Sequence, residues 1–314
     1  MKHPLPFACA PGDPSASAWL DALQAALPEE HITPLDQLDT AARQACKVAI
    51  VANPCPGDLQ ALPRLQWVQS VWAGVDRLMA TLKGSPVKVV RLVDPQLTAT
   101  MAEAVLAWTL YLHRDMPRYA RQQAARAWIP HEYVPPRNKT VSLLGLGALG
   151  SAGAQALAAA GFQVCGWSRT RKALPNTACF AGADELEPML ERTDILVCLL
   201  PLTPATKGLV DAKALSRLRR NAAVINFGRG AIIDEGALRQ ALGSGHLSHA
   251  VLDVFEHEPL PPDAWQWDHE RVTVLPHISG PTDCLTASQI VARNIRRYRA
   301  DGSIPESVDP QAGY

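Results

Sequence analysis

Three ionisable residues of different kinds stand just beyond apolar runs in the second half of the chain. Arg229 lies in "NFGRGAIIDEGAL" (226–238), Glu258 in "LDVFEHEPLP" (252–261) and His277 in "VLPHISG" (274–280). A planar guanidinium can hold a carboxylate at two points. An imidazole titrates near working pH and can give or take a proton. A carboxylate beside it stabilises the imidazolium. Together with Asp253, these polar and ionisable types could converge on one ligand site. Singly each has a plain structural alternative: a loop charge, a surface acid, a strand-end cap. Their shared place, past the ends of strand-like runs where an open parallel sheet has its ligand crevice, brings them into one hypothesis.

Upstream, "VSLLGLGALGSAGAQALAAAGFQV" (141–164) reads as strand, glycine turn and helix. Gly145 permits the tight turn, Gly147 lets the backbone approach a pyrophosphate, and Gly150 allows close helix packing. The backbone of Ala148 and Leu149 opens the helix, whose amides and dipole face the phosphates. In such units an acid about 20 residues on grips the ribose. Ser168 stands 18 residues after Gly150, in "GWSRT", and is followed by Arg169 and Thr170. A carboxylate there would repel a 2'-phosphate, whereas Arg offers a fork of donors to it. Arg169, with Arg171 and Lys172 nearby, therefore favours NADP over NAD, and a solvated basic loop is the alternative.

The elements that must position these groups alternate in type. "PFACA", "KVAIVANP", "LQWVQSVWAG" and "VKVVRLVD" read as strands among helical stretches such as "SASAWLDALQAAL". "TATMAEAVLAWTLYLHRD" reads as a long helix with Thr98 or Thr100 as cap. Six further runs follow: "TVSLLGLG", "FQVCGWS", "DILVCLLP", "AAVINFG", "AVLDVF" and "VTVLP". Six strands complete a doubly wound sheet. A last helix, "TASQIVARNIRRYRADG", lies beyond the sixth strand and is stopped by Gly302. The expectation is an α/β protein of two Rossmann-like domains, doubly wound parallel sheets with the active site in the cleft between them. A flavodoxin-like substrate-binding domain would comprise residues 1–97 with 286–314, and a dinucleotide-binding Rossmann domain residues 98–285.

Bulk composition removes other classes. The 314 residues are 47% hydrophobic and 19% charged, with 30 Lys plus Arg against 30 Asp plus Glu. That balance gives no general attraction to nucleic acid or anionic lipid. No run approaches the roughly 18 apolar residues of a membrane span. The proline-interrupted N-terminus lacks the apolar core of a secretory signal, so a cytoplasmic protein is expected. Seven cysteines without C-x-x-C spacing argue against a disulfide framework and a zinc cage, and read as small buried hydrophobes. No metal is expected.

The ordered set "GLGALG", "LPLTPATKGL" (200–209), "NFGRGAIIDEGAL", "LDVFEHEP" and "PHISG" resembles the D-isomer-specific 2-hydroxyacid dehydrogenases. "SVWAGVDRL" (70–78) resembles that family's substrate loop. The missing ribose acid and "WSRT" look most like the NADPH-dependent glyoxylate/hydroxypyruvate reductase branch. The resemblance implies that Arg229 and the backbone amides of Ala73 and Gly74 hold the substrate carboxylate; Trp72 stands before these amides where many relatives have a small residue, and either narrows the pocket or is an ordinary core residue. It implies that His277 donates a proton to the substrate carbonyl and that Glu258 pairs with it. It further implies cofactor contacts along Leu200, Pro201, Leu202 and Thr206, at Phe227, Gly228 and Arg229, and at Asp253, His277 and Ser279. A homodimer formed near residues 100–140 is implied too. The expected reaction is NADPH-dependent reduction of a small 2-oxo acid, glyoxylate or hydroxypyruvate. The alternatives are an NADH-dependent dehydrogenase of another D-2-hydroxy acid and a non-catalytic nucleotide-sensing protein. The N-terminal half has no obvious basic cluster for a phosphorylated substrate, so phosphoglycerate dehydrogenase is disfavoured.

Overall fold

In the computed structural model, which describes residues 4–309, the first elements are β1 (Pro4–Cys9), α1 (Ala16–Ala26), β2 (His31–Pro34), α2 (Thr40–Ala45), β3 (Val48–Ala52), β4 (Trp67–Ser70), α3 (Asp76–Thr81) and β5 (Lys88–Val90). The strands are all parallel in the order β2-β1-β3-β4-β5. β3 is buried at all five positions, as a central strand covered on both faces must be. β2, "HITP", was not anticipated as a strand. It is an edge strand, which needs hydrogen bonds on one side only and tolerates its polar residues and Pro34.

The long helix α4 runs Pro95–His113. Its start lies upstream of the expected caps, so Thr98 and Thr100 are interior residues. Pro95 needs no amide partner at a first turn, and Asp94 accepts a hydrogen bond from the Gln96 amide (2.8 Å). α5 (Met116–Ala124) follows, and then β6 (Thr140–Leu144), α6 (Ala148–Ala159), β7 (Gln163–Ser168), β8 (Thr177–Ala181), α7 (Leu186–Leu190), β9 (Ile195–Cys198), α8 (Ala212–Arg217), β10 (Ala222–Asn226), α9 (Glu235–Gly243), β11 (Leu247–Leu252) and β12 (Val272–Val274). These strands form a parallel sheet in the order β12-β11-β10-β9-β6-β7-β8, seven rather than the six expected. The additional strand is β8, "TACFA", an edge strand with no fully buried residue and hence no apolar run to betray it.

The last helix among the described residues is α10 (Cys284–Asp301), capped by Asp283 and closed by Gly302 in the left-handed conformation. The fold divides into Met1–Leu97 with Thr282–Tyr314, and Thr98–Pro281. α10 therefore belongs with the first sheet. Its fully buried Ala287, Val291, Ala292 and Ile295 join a core with Leu5, Phe7, Trp19 and Trp67. Polar ties add to this: Asn294 donates to Gln69 (2.9 Å), Tyr298 to Gln66 (2.7 Å), and Arg299 to Glu30 (2.8 and 3.1 Å). Glu30 is only 4% exposed, so this paired charge must be kept paired.

All seven cysteines are free, with Cys46, Cys165 and Cys198 buried and the other four half-buried. Burial pushes the Cys198 thiol up to about 12, which makes it inert at neutral pH. Among the described residues no helix is long and apolar enough to cross a membrane, and no group of three His, Cys, Asp or Glu could hold a metal ion.

Candidate active site

The second sheet reverses its strand order between β6 and β9, and loops from their C-terminal ends meet there. Gly145 turns at φ +105°, where its missing side chain leaves the Leu199 carbonyl in close contact. A Cβ at Gly150 would stand 1.8 Å from the Gly145 carbonyl oxygen, so α6 can start tight against the turn only with glycine. A Cβ at Gly147 would meet nothing within 4 Å, leaving an open approach to the helix start. No side chain caps α6, and the amides of its first turn have no acceptor within the helix. This cradle fits a dinucleotide pyrophosphate: uncapped donors, a dipole of the right sign and room for a ligand.

Other expected cofactor positions differ in what they can offer. Leu200 and Phe227 are buried in the core of this unit, at 7% and 6% exposure, so any contact from them is through backbone or a grazing side chain. The Thr206 hydroxyl accepts from the Thr203 amide (2.8 Å) and donates to the Pro201 carbonyl (2.6 Å), tying up its own loop. The Ser168 hydroxyl donates to the Thr170 carbonyl (2.8 Å), while Arg169 and Thr170 are exposed.

Arg229, Asp253, Glu258 and His277 all follow strands of this one sheet. Two glycines make their loops fit: a Cβ at Gly228 would press on the Leu200 carbonyl at 2.7 Å, and one at Gly230 on Phe255 at 2.1 Å. Asn226, the last residue of β10 and only 1% exposed, accepts from the Gly228 amide (3.2 Å) and donates to the Arg229 carbonyl (3.0 Å). It thereby fixes the turn from which Arg229 projects. Asn226 escaped the sequence reading, although an amide closing an otherwise apolar strand was its signal.

His277 Nδ1 lies 2.9 Å from Glu258 Oε2, and the other Glu258 oxygen accepts from the Phe255 amide (2.9 Å). The hydrogen bond to Glu258 holds the imidazole above its ordinary range, against partial burial and the Arg229 charge; the charges of Glu258 and Asp253 add to the rise. Burial would raise Glu258, yet bonds from His277 and the Phe255 amide, with the charges of His277 and Arg229, hold it below the usual carboxylate range. Each group thus favours the charged form of the other, imidazolium beside carboxylate.

His277 itself adopts φ +55°, a left-handed backbone unusual for a residue with a side chain. Asp253 supplies the reason. Only 2% exposed, its two oxygens accept from the amides of Ile278 (2.7 Å) and Ser279 (2.9 Å), clamping the chain just after His277. The Ser279 hydroxyl is buried without a hydrogen-bond partner among the described residues. Such a donor beside the strand ends suits a polar group of a bound cofactor.

Trp72, Ala73 and Gly74 follow β4 in the first unit. The Trp72 ring is half-buried, edge-on to Trp19 at 5.5 Å between centroids, and packs against that unit's core. Its indole nitrogen is buried without a partner among the described residues.

Residues 106–279 match the family model described as D-isomer specific 2-hydroxyacid dehydrogenase, NAD binding domain. Glyoxylate/hydroxypyruvate reductase A of Yersinia enterocolitica is 36% identical over 305 residues, 95% of this chain and 96% of that protein. The fold is similar to a D-isomer specific 2-hydroxyacid dehydrogenase from Xanthobacter autotrophicus Py2 solved with NADPH and MES, with TM-score 0.93, 38% identity and both chains fully covered. It is similar also to an NADPH-dependent glyoxylate/hydroxypyruvate reductase from Sinorhizobium meliloti solved with NADP and sulfate, with TM-score 0.90, 34% identity and the same coverage. The chain belongs to the D-isomer specific 2-hydroxyacid dehydrogenase family and is an NAD(P)-dependent oxidoreductase.

Proposed function

We propose that the chain reduces a small 2-oxo acid, with glyoxylate or hydroxypyruvate as first candidates, using NADPH in preference to NADH. The observation that carries the reading is the His277–Glu258 contact of 2.9 Å, set beside Arg229 on the sheet whose switch point holds the glycine cradle. The names of the Yersinia and Sinorhizobium relatives support the substrate class and the cofactor.

In this reading Arg229 takes the substrate carboxylate in a two-point grip, which also orients the adjacent carbonyl. In the first unit, the amides of Ala73 and Gly74 are candidate donors to a carboxylate, and Trp72 stands beside them as a candidate for limiting the size of the acid. His277 uses Nδ1 for Glu258 and gives the Nε2 proton to the carbonyl oxygen as negative charge develops there. Glu258 remains ionised and compensates the imidazolium, so both charges have a partner before and after binding. The amides of Ala148, Leu149 and Gly150 hold the pyrophosphate, and Ser279 offers its orphaned hydroxyl to the cofactor. When bound, the dinucleotide supplies the hydride. Arg169 takes the 2'-phosphate, and the strand end carries Ser168 in place of an acid that would repel it.

The Met1–Leu97 unit would bind substrate, and the protein would work in the cytoplasm as a homodimer. Trp128 at 98% exposure, with Ile129 at 55% and Tyr133 at 57%, leaves an apolar surface that a second copy would cover. Its mass by light scattering should be that of two chains.

The deciding experiment follows loss of reduced-cofactor absorbance with a panel of 2-oxo acids and both cofactors. Consumption should be fastest with NADPH and a two- or three-carbon acid. Faster turnover with NADH would shift the reading to a dehydrogenase of another 2-hydroxy acid, and no turnover with any pair would overturn it.

A further inference from the structure

We propose that Arg171 and Glu185 form a strut that positions the loop carrying Arg169, and so set the preference for NADPH without touching it. The inference rests on the proposal that Arg169 reads the 2'-phosphate.

Residues 169–176 connect β7 to its parallel neighbour β8, carrying the chain back along the sheet without a helix. Parallel neighbours are usually joined by a dozen or more residues. A link this short has little slack, and it is pinned at several points. The Ser168 hydroxyl donates to the Thr170 carbonyl (2.8 Å), and the Trp167 indole donates to the Gly182 carbonyl (2.7 Å). Leu174 is half-buried against the core. Between these, Arg171 reaches across: one guanidinium nitrogen donates to the Cys179 carbonyl (3.0 Å) and another bonds Glu185. The second Glu185 oxygen accepts from the Ala181 amide (2.7 Å). Arg171 is thus fastened to the backbone of β8 directly and, through Glu185, a second time.

Two consequences follow for the three neighbouring cations Arg169, Arg171 and Lys172. Arg171 already has an anion, so it is a poor candidate for the phosphate. Arg169 lies between Ser168 and the pinned Arg171, so its backbone is ordered before any ligand arrives. An ordered donor forfeits less conformational freedom on binding a phosphate. NADH lacks that phosphate and makes no demand on the loop. Glu185 and Arg171 are therefore positioning residues for specificity.

The test measures KM for NADPH and for NADH in Glu185→Ala, Arg171→Met, the double variant and Arg169→Ala, with melting temperature alongside. Each single strut variant should raise KM for NADPH about three- to fivefold, the scale of an exposed ion pair. KM for NADH should stay within about twofold, and the double variant should be no worse than Arg171→Met, which already removes both ties of the guanidinium. A fall in KM for NADPH in Glu185→Ala would overturn the inference by making Arg171 a latent phosphate ligand. Unchanged KM values with a lowered melting temperature would overturn it as well, leaving a merely structural contact. Arg169→Ala separates the two levels: if it weakens both cofactors equally, the NADPH reading fails, whereas discrimination there but not in the strut variants sinks the strut alone.

Discussion

Replacing Asp253 tests whether the proton donor is held in place by a clamp. Each of its two hydrogen bonds, to the amides of Ile278 and Ser279, has a charged acceptor and contributes about 1.5–3 kcal/mol. Holding a non-glycine residue in the left-handed region, as at His277, costs about 1–2 kcal/mol. The clamp outweighs the strain; Asp253→Ala reverses that balance and lets residues 276–279 relax. A shift of about 1 Å in a reacting group reduces turnover on the order of a hundredfold. Asp253→Asn keeps one acceptor and turns an amide NH2 towards the other N–H, so its loss should be intermediate, roughly tenfold, about half the clamp in free energy. Both variants also remove a charge that raises His277, leaving less imidazolium at neutral pH. The assay pairs turnover at saturating substrate and cofactor with hydrogen exchange of a peptide covering 275–281. Expected is faster exchange at Ile278 and Ser279 in step with lost turnover. A folded Asp253→Ala protein with unchanged exchange and turnover within about threefold of the parent would refute the reasoning.

Further outcomes follow from the same geometry. Glu258→Gln replaces the charged acceptor that chiefly raises His277 by a neutral one, so the alkaline fall in kcat/KM for reduction should move to lower pH; an unmoved profile would take Glu258 out of the pair. The same raised value means that the stability His277 contributes is full below its unfolded-state value and is lost as pH rises through the folded one, whereas the share of Glu258, held low, is lost as pH falls through its own folded value. Arg229→Ala should lower kcat/KM about a hundredfold through both KM and kcat, and Arg229→Lys should recover little, because a point charge lacks the two-point grip; an effect on melting alone would leave Arg229 a structural charge. His249 is 5% exposed, and its burial depresses it from 6.5 to about 4. The unfolded chain takes up that proton first, so stability should fall as pH drops from 6.5 towards 4, by about 3 kcal/mol in all. His249→Gln should flatten that part of an acid-denaturation curve, and an unchanged curve would show that other groups govern it.

What could be read along the chain was whatever is local. The turn at Gly145, Gly147 and Gly150, the strand runs around it and the helix closing at Gly302 depend on near neighbours, and the pattern of apolar residues carries them. Arg229, Glu258 and His277 were legible as types because each follows a strand. The edge strands "HITP" and "TACFA" were not legible, since an edge need not be apolar on both faces. The start of α4 was misplaced for a related reason: Thr98 and Thr100 look like caps, but Asp94 and Pro95 had already begun the helix.

Tertiary structure decided the rest. Only folding brings Asp253 under amides 25 and 26 residues later, and this gives an acid expected near the cofactor a structural task as clamp of the histidine loop. Only folding couples Arg171 to Glu185 across a strand, so that one of the three neighbouring cations already faces an anion of the fold. The sequence by itself determined which chemical groups this protein carries and which sheet ends present them. Their partners, charge states and backbone strain were settled by contacts between distant segments, because a hydrogen bond depends on separation in space and the chain records only separation along itself.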